Sequence, residues 1–171
     1  MKNTFTNFFF LILCSGFLFS CGDDDNDPKS TSDIEGVWSL KSMDYDGKYS
    51  AYQQGELLDE GTFTGEASDI DMTFDFKGDK LLASGSFNMS MEYDLFPGVE
   101  YKIPVSGSNF SGTWEANGDK IYFQTLSGPE EAQIISQTAN ELVLKMSSTM
   151  SQAAIGVENV FEMDGVYVLT K

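Results

Sequence analysis

An antiparallel, all-β barrel of about eight or more strands is the fold this sequence predicts, and three observations carry the prediction. Apolar residues recur at every second position through most of the chain, which is how a strand shows one face to a core and the other to water. Tight-turn residues punctuate those runs, so neighbours in sequence pair antiparallel. Only two stretches interrupt the alternation. A meander of this length has unpaired edges unless it closes on itself, and closure into an up-and-down barrel removes them; a two-sheet sandwich is the alternative.

The first 20 residues stand apart from this pattern. Met1-Lys2-Asn3 gives a short basic start, and Phe8 to Phe19 gives an apolar run shorter than the roughly 20 residues of a spanning helix, as in a cleaved secretion signal. Leu18-Phe19-Ser20-Cys21 resembles the lipobox of bacterial lipoproteins, an aliphatic residue three before a cysteine and a small one just before it. That resemblance implies that Cys21 is acylated, becomes the first residue of the mature chain and holds it to a membrane. An ordinary signal with an incidental cysteine is the other reading. Residues 21–32 form the tether. Gly22-Asp23-Asp24-Asp25-Asn26-Asp27 has nothing to bury and predicts disorder. It resembles the acidic export signal of Bacteroidetes-type lipoproteins, which implies the outer face of the outer membrane; a plain solvated spacer is the alternative. Asp23 to Asp27 lack the spacing and turn glycine of a calcium loop.

Residues 33–171 predict one domain. Ile70, Met72, Phe74 and Phe76 alternate with Asp69, Asp71, Thr73 and Asp75, and Phe87, Met89, Met91, Tyr93 and Leu95 alternate with Asn88, Ser90, Glu92 and Asp94. Shorter runs place Ile121 and Phe123, then Leu142, Leu144 and Met146, then Val166 and Val168 on the apolar side. Lys77-Gly78-Asp79, Asn117-Gly118-Asp119 and Asp164-Gly165 read as tight turns, with Asn117-Gly118 the strongest hairpin signal. The two interruptions, Tyr49 to Gly61 and Ser147 to Glu158, each predict a lid with a helical turn, at Ala51-Tyr52-Gln53-Gln54 and at Met150 to Ile155.

Composition excludes several functions. Among 171 residues the net charge is -17, all ten basic residues are lysines, and histidine is absent. Nucleic-acid binding rests on basic side chains meeting phosphates, so none is expected, and anionic lipid or polysaccharide is repelled. Cationic and neutral partners remain. Cys14 lies in the signal and Cys21 at the lipidation site, so no thiol or disulfide belongs to the folded domain. Without histidine the usual zinc ligand and general base are missing. No enzyme, cofactor or metal site is expected. Asp69, Asp71 and Asp75, and likewise Glu130-Glu131, read as solvated surface, and no motif sets a carboxylate pair across a cleft.

At Ile34-Glu35-Gly36-Val37-Trp38-Ser39-Leu40 the chain resembles the first strand of a lipocalin, which opens with Gly-x-Trp; Ser111-Gly112-Thr113-Trp114-Glu115 before the Asn117-Gly118 turn adds to the resemblance. With the lipobox and tether, the chain resembles the lipocalin-like lipoproteins of Bacteroidetes over Asp33 to Lys171. The resemblance implies that Gly36 and Trp38 close the barrel bottom, with a basic side chain from the last strand over the tryptophan. With no arginine present, Lys171 is the residue left for that contact. It also implies a small apolar ligand in the barrel mouth.

Two functional expectations follow. In one, a lipid-anchored, monomeric cell-surface barrel binds a small apolar or amphipathic molecule through Phe74, Phe76, Phe87, Met89, Met91, Phe110, Trp114 and Phe123, since a Met/Phe lining adapts to irregular apolar shapes. In the other, those side chains fill the barrel solid and the loops contact a protein or glycan, with the aromatic segment Tyr93 to Tyr101 at the rim. The size of the interior cavity separates the two.

Overall fold

The computed structural model describes residues 34–94, 97–126, 128–154 and 156–171. The signal, Cys21 and the tether lie outside them. Nine antiparallel strands follow one another: β1 (Gly36–Gln53), β2 (Glu56–Lys77), β3 (Lys80–Tyr93), β4 (Glu100–Ser106), β5 (Gly112–Asn117), β6 (Lys120–Thr125), β7 (Gly128–Gln137), β8 (Glu141–Ala154) and β9 (Val157–Thr170). The pairing order β2-β1-β9-β8-β7-β6-β5-β3 closes through β2 against β3, so these eight form a ring and β4 lies beside the upper part of β3. The sandwich is not formed.

The ring is complete only in its lower half. There β3 meets β5 through two residue pairs, Lys80 with Thr113 and Leu81 with Gly112. The Ser111 hydroxyl extends that seam by accepting from the Ala83 amide at 3.0 Å and donating to the Ala83 carbonyl at 3.2 Å. Higher up, β4 pairs with β3 alone, and no described residue of β8 beyond Met146 pairs with β7. The upper half is therefore a curved sheet in the order β4-β3-β2-β1-β9-β8, with two free edges. Register shifts between Leu40 and Ser42 and between Ser68 and Asp71 bend β1 and β2 on the way up, as bulges do.

Alternation sets the core. Met72, Phe74, Phe76, Phe87, Met89, Met91, Ile121, Phe123, Leu142 and Leu144 are all buried. The Asn117-Gly118 hairpin joins β5 to β6 and the Gly78 turn joins β2 to β3, with both glycines at positive φ. Several expectations are corrected. Tyr49 to Gly61 is the continuous upper part of a β1–β2 hairpin turning at Gln54-Gly55, not a lid, and Ser147 to Ala154 and Val157 to Glu158 lie in paired β8 and β9, so Met150 to Ala154 is strand and not a helical turn, with Ile155 outside the described residues. Ala51 to Gln53 hydrogen-bond to strands on both sides, which leaves no backbone group for a helical turn. Asp164-Gly165 is not a turn either: Gly165 sits within β9 opposite Tyr45 and Met146. In the same strand Tyr167 and Leu169 face inward and Val166 is exposed, the reverse of the sequence reading. Four consecutive apolar residues carry no alternation, and pairing with Met43 and Leu144 fixes the inward face.

Candidate functional site: the aromatic rim

The barrel bottom is shut by Trp38. Its indole is fully buried and donates from Nε1 to the Ile34 carbonyl at 2.7 Å. Lys171 Nζ stands 4.4 Å from the ring centroid and donates to the Glu35 carbonyl at 3.0 Å. Gly36 stands beside this crossing with a φ of +119°, a backbone conformation that disfavours any side chain. Lysine thus takes the place expected of a basic residue from the last strand.

The eight interior residues expected to line a ligand site are brought together, but as packing. Phe76 meets Trp114 edge-on at 5.0 Å between centroids, and Phe74 meets Phe110 at 5.9 Å, in the perpendicular arrangement aromatic pairs favour. Phe74, Phe76, Phe110 and Phe123 border a cavity of about 30 Å³, which holds no more than about two waters. Phe87, Met89, Met91 and Trp114 are buried in the surrounding core. Trp114 Nε1 is buried and has no hydrogen-bond partner among the described residues. The closed part of the barrel is filled.

Glu130 corrects the surface reading of Glu130-Glu131. Paired with Phe123 across β6 and β7, it shares that residue's inward face and borders the same small cavity, half-buried, so desolvation raises its carboxyl above the ordinary carboxylate range. Glu131 alternates outward and pairs with Lys120 at 2.6 Å. A carboxyl with a raised folded pKa holds its proton more tightly folded than unfolded, so stability falls as pH rises from the ordinary carboxylate range through the raised value. Glu130→Gln is expected to raise the neutral-pH melting temperature by about 2 °C and to leave it unchanged at pH 4. Thermal melts across that range test this; an equal gain at both pH values would refute it.

Space for a ligand lies above, on the concave face of the flared sheet. Three cross-strand pairs set an aromatic ring over a glycine: Tyr45 with Gly65, Phe63 with Gly47, and Tyr49 with Gly61. The bare glycine lets each ring lie down against the strand, so the inner face curves sharply and still stays aromatic. Above them Tyr49 meets Tyr93 at 5.3 Å and 86°, and Tyr93 meets Tyr101 at 5.3 Å and 80°. These three tyrosines, with Phe161, Asp59 and Asn159, wall a cavity of about 280 Å³ open to solvent. The Tyr49 hydroxyl donates to Asp59 Oδ2 at 3.2 Å, and the Glu60 amide donates to Asp59 Oδ1 at 3.0 Å, so the carboxylate is fixed from both sides. Burial raises the Tyr49 hydroxyl's pKa, helped by its bond to Asp59, and burial beside Tyr101 raises that of Tyr93. Both phenols stay neutral donors in water.

Of the rim residues, sequence reading singled out Tyr93 and Tyr101 only. Tyr49 and Asp59 lie in the stretch that reads as a lid, and Phe161 and Asn159 carry no sequence signal of their own. The signal that finds them is complementary spacing, Tyr45-x-Gly47-x-Tyr49 against Gly61-x-Phe63-x-Gly65, large opposite small in an antiparallel register.

Fold and site together define an antiparallel up-and-down barrel, apolar inside and charged outside, sealed at one end and flared at the other. The profile of the lipocalin-like domain matches residues 34–144. The chain belongs to that family. No curated protein sequence matches it. Two solved structures of Ail, the attachment invasion locus protein of Yersinia pestis, align with it at 12% and 15% identity, the first in complex with the heparin analogue sucrose octasulfate. Each alignment covers 80% of this chain and 99% of that chain, at a TM-score of 0.29.

Proposed function

We infer that this is a non-enzymatic binding protein that takes a small amphipathic ligand at the flared mouth of its barrel and is held to the outer membrane by a lipid on Cys21. The observation that carries the binding site is the contrast between the filled interior, with a cavity of about 30 Å³ among its phenylalanines, and the aromatic-walled cavity of about 280 Å³ at the rim. The rim offers flat apolar walls with a carboxylate, an amide and phenol groups at the edge, the mix that orients a ligand with one greasy and one polar part. Attachment through lipid agrees with the direction of the side chains. Asp69 and Asp71 are exposed on the outside, whereas a barrel crossing a bilayer needs an apolar outer band. The order of apolar run, small residue and Cys21 supports the anchor, and the acidic segment after it supports the cell surface.

The binding test is a titration of the purified full chain with Nile red, a neutral apolar dye. Saturable binding is expected, weakened about fivefold or more by Tyr101→Ala or Phe161→Ala and unaltered by Phe123→Leu in the filled interior. Sensitivity to the interior change alone, or no saturation, would sink the rim assignment. Processing that is blocked by a globomycin-type inhibitor, and loss of the chain from whole cells under external protease, are the results expected for the anchor and its location.

A further inference from the structure

The rim cavity has a chemistry narrower than "amphipathic". Tyr49, Tyr93 and Tyr101 meet in turn edge to face, at 86° and 80° and 5.3 Å between centroids, and all three border the open cavity. The face of an aromatic ring is the negative part of its quadrupole, so a ring face turned to the cavity attracts a cation. Asp59, fixed by two hydrogen bonds, sets a full negative charge at the lip. No lysine of the neighbouring strands opposes it: Lys48 and Lys102 sit at register positions that alternate away from the cavity. The net charge of -17 draws cations toward the molecule as a whole.

We propose that this cavity is a cage for an alkylated ammonium head group, with the rings as its walls and Asp59 as the counter-charge. The proposal rests on the rim being the binding site. An alkylated ammonium suits it better than a primary amine, because methyl groups pack on ring faces and the charge is weakly hydrated, so little is lost on leaving water. An anion meets only repulsion. Asn159, at the cavity wall, leaves an amide for the polar group that follows the ammonium.

Calorimetric titration of the purified full chain with three probes tests the cage. Choline is the free-solute probe, 3,3-dimethylbutan-1-ol is its uncharged isostere, and dihexanoylphosphatidylcholine, below its micelle-forming concentration, is the lipid-headgroup probe. Choline is expected to bind about tenfold or more tighter than the isostere. Asp59→Asn, which keeps the shape and removes the charge, is expected to weaken choline about fivefold and to remove most of its advantage over the isostere. Tyr101→Ala, at a position already 46% exposed, is expected to weaken both. A phospholipid that outcompetes choline assigns the head group to a membrane lipid, the reverse assigns it to a dissolved solute, and either supports the cage. Equal binding of choline and the isostere, or no choline binding while Nile red still saturates, overturns the cage and leaves the rim site standing. Failure of choline and Nile red alike removes the rim site as well.

Discussion

Trp38→Ala is expected to lower stability by about 3 to 5 kcal/mol, the range for truncating a large buried aromatic, and with it the melting temperature by about 10 °C or more. The indole has no exposed surface, and it stands where β1 begins, under the lower ring. Three separate interactions go with it: packing, the 2.7 Å bond to Ile34, and the attraction of Lys171 over the ring. Partial replacements separate them. Trp38→Phe keeps much of the packing and loses the N–H donor, so a loss of about 1 to 2 kcal/mol is expected. Lys171→Met keeps the aliphatic chain over the ring and removes the charge, at a cost of about 1 kcal/mol. Urea unfolding of the three variants checks the order. A Trp38→Ala loss no greater than that of Lys171→Met would mean that the floor is not a structural plug.

Gly65→Ala is expected to cost about 3 kcal/mol although it adds a single methyl group. A Cβ at this position would lie 2.2 Å from the Ser90 carbonyl oxygen and 2.5 Å from the Tyr45 ring. One of those neighbours is backbone and cannot rotate aside. The other is a buried tyrosine whose hydroxyl donates to that same Ser90 oxygen at 2.9 Å, so moving the ring breaks the bond that holds it. Gly78→Ala is the comparison: its φ is +59°, but the space around it is open, and the expected cost is only about 1 kcal/mol. In a Tyr45→Ala background Gly65→Ala should remain costly, because the Ser90 oxygen stays where it was. If the two glycine variants lose equal stability in denaturant titrations, the close approach of β2 to β3 is not what fixes Gly65.

How much was legible in the sequence depends on what stood at the inward positions. Where they carried Met and Phe, as from Met72 to Phe76 and from Phe87 to Met91, the period-two reading found both the strand and its face. Where an inward position is glycine, as at Gly47, Gly61 and Gly65, the apolar signal vanishes although the strand continues, and the hairpin was read as a lid. β7 was lost for a related reason, since Glu130 holds an inward position and Pro129 precedes it. β9 failed in the opposite way: Val166 to Leu169 are apolar on both faces, and only pairing with β1 and β8 tells the faces apart. The floor was legible through Gly36, Trp38 and Lys171. The rim was legible only in Tyr93 and Tyr101, because its members come from β1, β2, β3, β4 and β9 and meet only once the sheet has curved.

The seam that stops halfway up has a mechanical consequence. Hydrogen bonds hoop the lower barrel like the staves of a cask, so its girth is fixed by the backbone. In the upper part β4 and β8 end as unhooped margins, and spreading them apart breaks no inter-strand bond between them. The jaw of this protein is therefore compliant where its base is stiff, so that a guest at the proposed rim site would be met by a small change in curvature of one sheet, with the base left undisturbed.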